Sequence, residues 1–365
     1  MIRMNDFTAE PEEVRSRENA AISRVLSSGH YILGKEVEGF EKSWAAFCGT
    51  KHCIGVANGM EAIELALRAL GIGNGDEVIT TPMTAIATVL AILHAGATPV
   101  LADIDPQTAL LDRESVARVL TKQTKALLPV HLYGRLPDMD AWSAFCKDAG
   151  IHLVEDCAQA HGARFSGKSA GAFGEVSAFS FYPTKNLGAK GDAGAVLTNS
   201  SEIAERVRSL RNLGGTSRYA HREAGLNSRL DELQAAILSE RLLFLAAFNS
   251  RRQAIAHSYQ SGITNPAIEH LAAPKNPASH VYHLFVIRTA ERDRLAEFLK
   301  SRDIETLIHY PVPAHRQECC RNIRYDSNGL PNAEAHAKSC LSLPCHPQLT
   351  DEQVRTVVST VNEFR

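Results

Sequence analysis

The stretch His152-Leu153-Val154-Glu155-Asp156-Cys157-Ala158-Gln159 decides the fold. Residues 152–155 read as a short strand carrying Leu153 and Val154, and they follow a helix over 139–149 that Gly150 terminates. Reading outward, the same alternation recurs. On the N-terminal side come a helix over 61–70 ended by Gly71, a strand over 77–80, a helix over 85–95, and strands over 98–102 and 125–132. On the C-terminal side a strand covers 178–182. Apolar strands alternating with helices imply a mostly parallel sheet covered by helices, an α/β fold. From 201 the texture changes to helices over 203–212 and 230–250, the latter running on toward 259, then a strand over 283–288 and helices over 291–301 and 351–363. At 365 residues the chain exceeds one typical core, so a large domain over 1–245 and a smaller α+β domain over 246–365 are expected.

Three features converge on chemistry. Asp156 and Gln159 lie just past one strand, and Lys185 lies just past another in Ser180-Phe181-Tyr182-Pro183-Thr184-Lys185-Asn186-Leu187-Gly188. In a parallel sheet the C-terminal strand ends share one edge, where ligands gather, so this carboxylate and this lysine can face one pocket. Asn58-Gly59-Met60-Glu61 is a turn opening into a helix. The free N–H groups of a first helical turn attract a phosphate, Gly59 lets the anion approach the backbone, and Ser180 adds a hydroxyl donor. Together these parts suit pyridoxal 5'-phosphate (PLP). An enclosed site disfavours the ammonium of Lys185, so a neutral amine is free to condense with the aldehyde. A carboxylate set against the pyridine nitrogen, the role open to Asp156, keeps that nitrogen protonated. Taken singly, each residue has a plainer reading: Asp156 as a strand-end or capping group, Gly59 as a turn glycine, Lys185 as a solvated charge. On the residues alone the chain is an enzyme-like α/β protein for which PLP is one reading.

Composition narrows the classes. A formal net charge of -2 with scattered basic residues lacks the footprint of a nucleic-acid binder. The first residues carry Asp6, Glu10, Glu12 and Glu13 without an apolar run, unlike a secretory signal. The apolar stretch 84–102 is interrupted by His94, Gly96 and Pro99 and followed by Asp103, so helix, turn and strand are expected there and not a membrane span. Eight cysteines lack the spacing of a disulfide framework. Cys340, Cys345 and His346, with Cys319-Cys320 upstream, form no CxxC pair, so reduced thiols, no metal site and a cytoplasmic location are the expectation. Gly71-Ile72-Gly73-Asn74-Gly75 follows a helix and not a strand, which removes the dinucleotide-loop reading.

The chain resembles the DegT/DnrJ/EryC1/StrS family of sugar aminotransferases over nearly its whole length. The matching stretches are Gly34-Lys35-Glu36-Val37-Glu38-Gly39-Phe40-Glu41, residues 71–78, Pro129-Val130-His131-Leu132-Tyr133-Gly134, residues 155–163, Ser180 to Ala189 with Gly191-Asp192, and Asn227-Ser228-Arg229-Leu230-Asp231-Glu232. The resemblance implies a fold type I PLP-dependent transferase with a sheet of the seven-stranded type. It implies that Lys185 holds the cofactor covalently, that Asp156 partners the pyridine nitrogen, and that Gln159 neighbours the ring. Gly59, Met60, Glu61 and Ser180 would hold the phosphate. A homodimer with shared active sites is also implied, with Asn227 reaching the phosphate in the neighbouring chain.

Two positions depart from many members. Ala85 stands where an aromatic residue stacks on the cofactor, and Met60 stands where Thr is common. Asn58-Gly59-Met60-Glu61-Ala62, Thr306-Leu307-Ile308-His309-Tyr310-Pro311 and Gly191-Asp192-Ala193-Gly194-Ala195 look like the branch that aminates C3 of nucleotide-linked 3-keto-6-deoxyhexoses. His309 and Tyr310 then read either as contacts to the nucleotide sugar or as loop packing. Arg229 reads either as a bidentate partner of the donor carboxylate or as an intersubunit ion pair. The expected reaction takes an amino group from glutamate, leaves 2-oxoglutarate, and passes the amine to the sugar ketone. A related sugar 3-dehydratase carries His at the position of Lys185, so the lysine itself argues against that rival. Two others stay open: amination at C4 or of another cyclic ketone, and a PLP-holding regulator without turnover.

Overall fold

Local capping explains where the elements begin and end. The helix Met139–Ala149 starts at Asp138, whose side chain accepts from the Ala141 N–H, and stops at Gly150 with φ 66. Strands follow such helices at short intervals, and the computed structural model, which describes residues 1–217 and 219–365, assembles them into an eight-stranded sheet. In spatial order the strands are His52–Val56, Gly194–Thr198, Val176–Ser180, His152–Asp156, Thr124–Leu127, Glu77–Thr80, Thr98–Leu101 and Arg324–Tyr325. Gly194–Thr198 runs antiparallel to both of its neighbours, and every other pairing is parallel. Seven strands thus come from the first two hundred residues, and the eighth is a two-residue addition from the C-terminal part, which the sequence reading did not anticipate.

Apolar side chains fill both faces of the sheet. One buried cluster joins Phe40, Trp44, Trp142, Phe179 and Phe181, and another packs Ile63, Leu67, Val78, Val154 and Val207 on the opposite side. A third cluster gathers Ile255, Tyr259, Phe285, Leu299, Val357 and Val361, and it also takes in Ile2 from the chain start. Around it lies a three-stranded sheet, Glu269–His270, Phe285–Arg288 and Cys340–Leu343, antiparallel throughout. Among the described residues no helix is long and apolar enough to cross a membrane.

Two expectations are corrected in detail, and two helices are added. The helix anticipated over 230–250 divides into Glu232–Leu242 and Leu245–Gly262, because the Phe244 N–H bonds to the Arg241 carbonyl three residues back and tightens the turn. The strand anticipated over 125–132 ends at Leu127, since Pro129 has no N–H to offer the ladder. Its carbonyl still accepts from the Asp156 N–H at 3.0 Å. The helices Glu12–Ser28 and Lys35–Cys48 were not read at all.

Candidate active site

The C-terminal end of Val176–Ser180 lies directly against the start of the helix Gly59–Ala69. A Cβ built on Gly59 would meet the Ser180 Cβ at 2.5 Å, so only glycine lets this turn sit beside that strand end. Asn58 caps the helix by accepting from the Glu61 N–H at 2.9 Å. Of the first-turn donors, those of Gly59 and Met60 have no carbonyl within the helix to meet. The Met60 side chain packs against the apolar cluster under the sheet, so its contribution to an anion is a backbone one. One oxygen of Glu61, Oε2, is buried without a hydrogen-bond partner.

Lys185 follows the same strand in a turn closed by its N–H on the Tyr182 carbonyl at 2.8 Å. Burial pulls its ammonium down to about 8 from 10.5, and the Asp156 carboxylate pulls in the opposite direction. Asp156 is buried at the end of His152–Asp156. Its Oδ2 accepts from the Thr88 hydroxyl at 2.8 Å and its Oδ1 from the Ala158 N–H at 3.1 Å. Thr88 in turn meets the Thr84 hydroxyl at 2.8 Å. The buried Gln159 accepts from the Tyr133 N–H at 2.6 Å and donates to the Tyr310 hydroxyl at 3.2 Å. Tyr310 is pushed up to about 12 by burial and then by Asp156, so its phenol keeps its proton.

Three histidines surround the lysine and stay neutral. Burial, and after it Lys185, brings His309 down to about 4 and His161 to about 3, and burial holds His283 well below its usual range. His309 Nδ1 meets the Ser342 hydroxyl at 2.8 Å, and His283 Nδ1 meets the Asn186 amide oxygen at 3.2 Å. Behind Asp156, the fully buried Glu155 pairs with His131 Nε2 at 3.0 Å and accepts from the N–H groups of Gly171, Phe173 and Gly174. His131, Glu155 and Cys157 bring their donor atoms within 4.8 Å of one another, the one such grouping among the described residues, and its carboxylate is already engaged by those bonds.

The chain therefore brings together Lys185, Asp156, Gln159, His309 and Tyr310, and sets Gly59 against Ser180. No contact ties Asn227 or Arg229 to Lys185 among the described residues. Asn227 is exposed and bridges to Asn212 through its backbone, and Arg229 Nη1 donates to the Asn212 side chain at 3.3 Å. Between them, the Ser228 hydroxyl accepts from the Ala57 N–H at 3.1 Å, one residue before Asn58, which caps the helix Gly59–Ala69. Thr88, Tyr133 and His283 were missed from sequence. Tyr133 sits in the quoted motif and was the nearest to legible, whereas Thr88 stands in an apolar helix with no local mark.

Comparison with known proteins identifies the family. Residues 12–362 match the profile of the DegT/DnrJ/EryC1/StrS aminotransferase family. A Streptomyces venezuelae protein named dTDP-3-amino-3,4,6-trideoxy-alpha-D-glucose transaminase is 48% identical over 98% of this chain and 95% of its own. A Geobacillus stearothermophilus pleiotropic regulatory protein is 42% identical over 100% of this chain and 98% of its own. The crystal structure of S. venezuelae DesV, in complex with a ketimine intermediate, superposes with a TM-score of 0.95 at 48% identity, covering 99% of this chain and 98% of that one. With that coverage, the chain belongs to the DegT/DnrJ/EryC1/StrS aminotransferase family.

Proposed function

We propose that this protein moves an amino group from glutamate to the keto carbon of a nucleotide-linked sugar, C3 of a dTDP-3-keto-6-deoxyhexose. The observation that carries the reading is the lysine of lowered basicity beside a buried acid, on the same sheet edge as the Gly59 turn. The residues fit PLP. Gly59 and Met60 offer backbone donors, and Ser180 a hydroxyl, to a phosphate; Lys185 offers an amine that burial has made easy to deprotonate; Asp156 offers a carboxylate already oriented by Thr88. When bound, PLP supplies an aldehyde that amines condense with and a ring that accepts the electrons released at the donor Cα.

The chain's own groups do the rest. Lys185 Nζ takes the proton from the donor Cα and returns one to the sugar carbon that receives the amine. With PLP bound, Asp156 would keep a proton on the pyridine nitrogen, and Gln159 would be the neighbour of the ring. His309 and Tyr310 contact the nucleotide sugar, and the partner's Arg229, two residues from the partner's Asn227, pairs with the donor carboxylate. Glu61 closes the phosphate turn, its N–H held by the Asn58 side chain at 2.9 Å. In this reading the protein is a homodimer whose sites are shared, the partner's Asn227 reaching the phosphate. Its eight free thiols, Cys319 alone exposed, suit the reducing cytoplasm.

Support for C3 comes from the name of the S. venezuelae relative and from the Met60 and His309-Tyr310 motifs. The test is spectroscopic and then chemical. Adding glutamate to the holoprotein should convert the bound aldehyde to its amine form, and adding a 3-keto nucleotide sugar should reverse the change. NMR should place the new C–N bond at C3. Amination at C4 from a 4-keto substrate moves the assignment to that carbon. A second reading, a PLP-holding regulator without turnover, is favoured by the name of the G. stearothermophilus relative; absence of any spectral change with glutamate would establish it over the first.

A further inference from the structure

Away from the sheet edge, the chain carries two neighbouring thiols that the transamination reading leaves unused. Cys319 and Cys320 occupy the short turn Glu318–Cys320, with their Sγ atoms 3.6 Å apart. Both are free; Cys319 is exposed and Cys320 is buried beneath it. The turn is braced on both sides. The Cys320 N–H bonds to the Gln317 carbonyl at 3.0 Å, and the Ile323 N–H to the Cys320 carbonyl at 3.1 Å. Upstream, the Ala314 N–H is held by the Pro82 carbonyl at 2.8 Å; downstream, Arg324–Tyr325 pairs in parallel with Thr98–Leu101 and the buried Asp326 is gripped by Arg118 and Ser115. Cys319 opens onto a groove of about 430 Å³ with Leu93, Thr98, Pro99 and Ile323 in its walls. The two sulfurs are thus held side by side, one reachable from solvent, next to a partly apolar recess.

We propose that Cys319 and Cys320 form a vicinal-dithiol site that captures soft, thiophilic ligands of the trivalent-arsenical class. Sulfur donors select soft elements, and a second thiol already in place makes ring closure intramolecular, with a large effective concentration. With an arsenoxide R–As=O the balance is simple. Two As–S bonds form, the two S–H bonds and the As=O bond break, and both protons leave with the oxygen as one water; no electrons are transferred. Cys319 attacks first, as the reachable thiol. Cys320, pushed up to about 12 by burial and then by its bond to Cys319, stays protonated until it closes the ring and gives its proton to the departing oxygen. The other six cysteines, at 48, 53, 146, 157, 340 and 345, are all buried, and burial raises each of their thiols, so they do not compete.

The experiment uses the holoprotein and phenylarsine oxide as the probe, read by native mass spectrometry. Wild type should take up one equivalent, keep it in excess mercaptoethanol, and release it to 2,3-dimercaptopropanol. Cys319→Ser and Cys320→Ser, whose folding is checked by unchanged thermal midpoints and by unchanged cofactor absorbance, should each lose retention against the monothiol by at least ~100-fold, the loss of the chelate. Removal of the wild-type adduct by mercaptoethanol would overturn the proposal. So would an adduct retained equally in both variants, because the arsenic would then sit on other sulfurs.

Discussion

At Lys185 two forces oppose each other, and burial wins over the pull of Asp156, leaving the amine near its half-protonated point at about 8 where an exposed lysine sits at 10.5. The consequence for stability has a definite sign. A folded-state value below the unfolded one means that the cost of burying the ammonium is present in full below pH 8 and is relieved as the pH rises toward 10.5. In the cofactor-free protein, Lys185→Met should therefore melt above wild type at pH 7, and the gap should close between pH 8 and 10.5; a gap that stays constant with pH would show that the amine is not desolvated. Asp156 is held in place by the Thr88 hydroxyl on its Oδ2. Thr88→Val removes one hydrogen bond to a charged group, so kcat should fall about tenfold with little change in KM, whereas Asp156→Asn, which removes the charge itself, should cost ~10²-fold or more. Steady-state kinetics on the two variants decides, and a Thr88→Val enzyme equal to wild type would remove Thr88 from the positioning of the acid. Lys185, Asp156 and Gln159 were legible because each follows a strand within a recognisable motif. Thr88 was not, because a threonine in the apolar helix Ile86–His94 gains its meaning only when the sheet sets that helix beside the end of His152–Asp156.

At the scale of elements, the site depends on how closely the helix Gly59–Ala69 can approach the strand Val176–Ser180. Gly59→Ala drives a methyl into the Ser180 side chain at 2.5 Å, so either the turn or the strand end must move. Affinity for PLP, followed by fluorescence titration, should drop by about tenfold or more; in a Ser180→Gly background, which has already lost the hydroxyl donor, the same Gly59→Ala change should cost less than in wild type but still cost something, because the contact with the Ser180 Cα at 3.1 Å remains. Additive losses in the double variant would mean that the steric explanation is wrong. Elements with local punctuation were read correctly from sequence: Met139–Ala149 has Asp138 before it and Gly150 after it, and Asp351–Glu363 follows the capping residue Thr350. The overlooked helices Glu12–Ser28 and Lys35–Cys48 end at left-handed Gly29 and Gly49, so their stops were available to the reading. So was the start of Glu12–Ser28, where Pro11 precedes Glu12 and Glu13; the start of Lys35–Cys48 was not. Lys35–Cys48 is capped from a distance by the Glu232 carboxylate, which accepts from the N–H groups of Gly34, Glu36 and Val37, a partner no local pattern predicts. The break after Leu242 was equally hidden, since neither Gly nor Pro marks it.

Over the whole molecule, the chain start is tied to the elements that carry the site. Glu10 and Glu18 meet Arg241, and both also meet Lys190, five residues beyond the site lysine. Ile2 bridges to Ile304 and joins the C-terminal core. Asn227 is exposed, with its backbone bridged to Asn212, while Lys185 sits among its own histidines and acid. If the partner's Asn227 completes the phosphate site, the two residues act across a two-fold interface, and complementation follows from symmetry. Lys185→Ala and Asn227→Asp homodimers should each be strongly impaired, the second because a carboxylate would face the phosphate. After the two are unfolded together, mixed in equal amounts and refolded, half of the dimers are hybrids. In each hybrid one site combines both lesions and the other combines none, so activity should return to about a quarter of wild type. If Lys185 and Asn227 served the same site from one chain, every site in the hybrid would keep a lesion, and mixing would restore nothing.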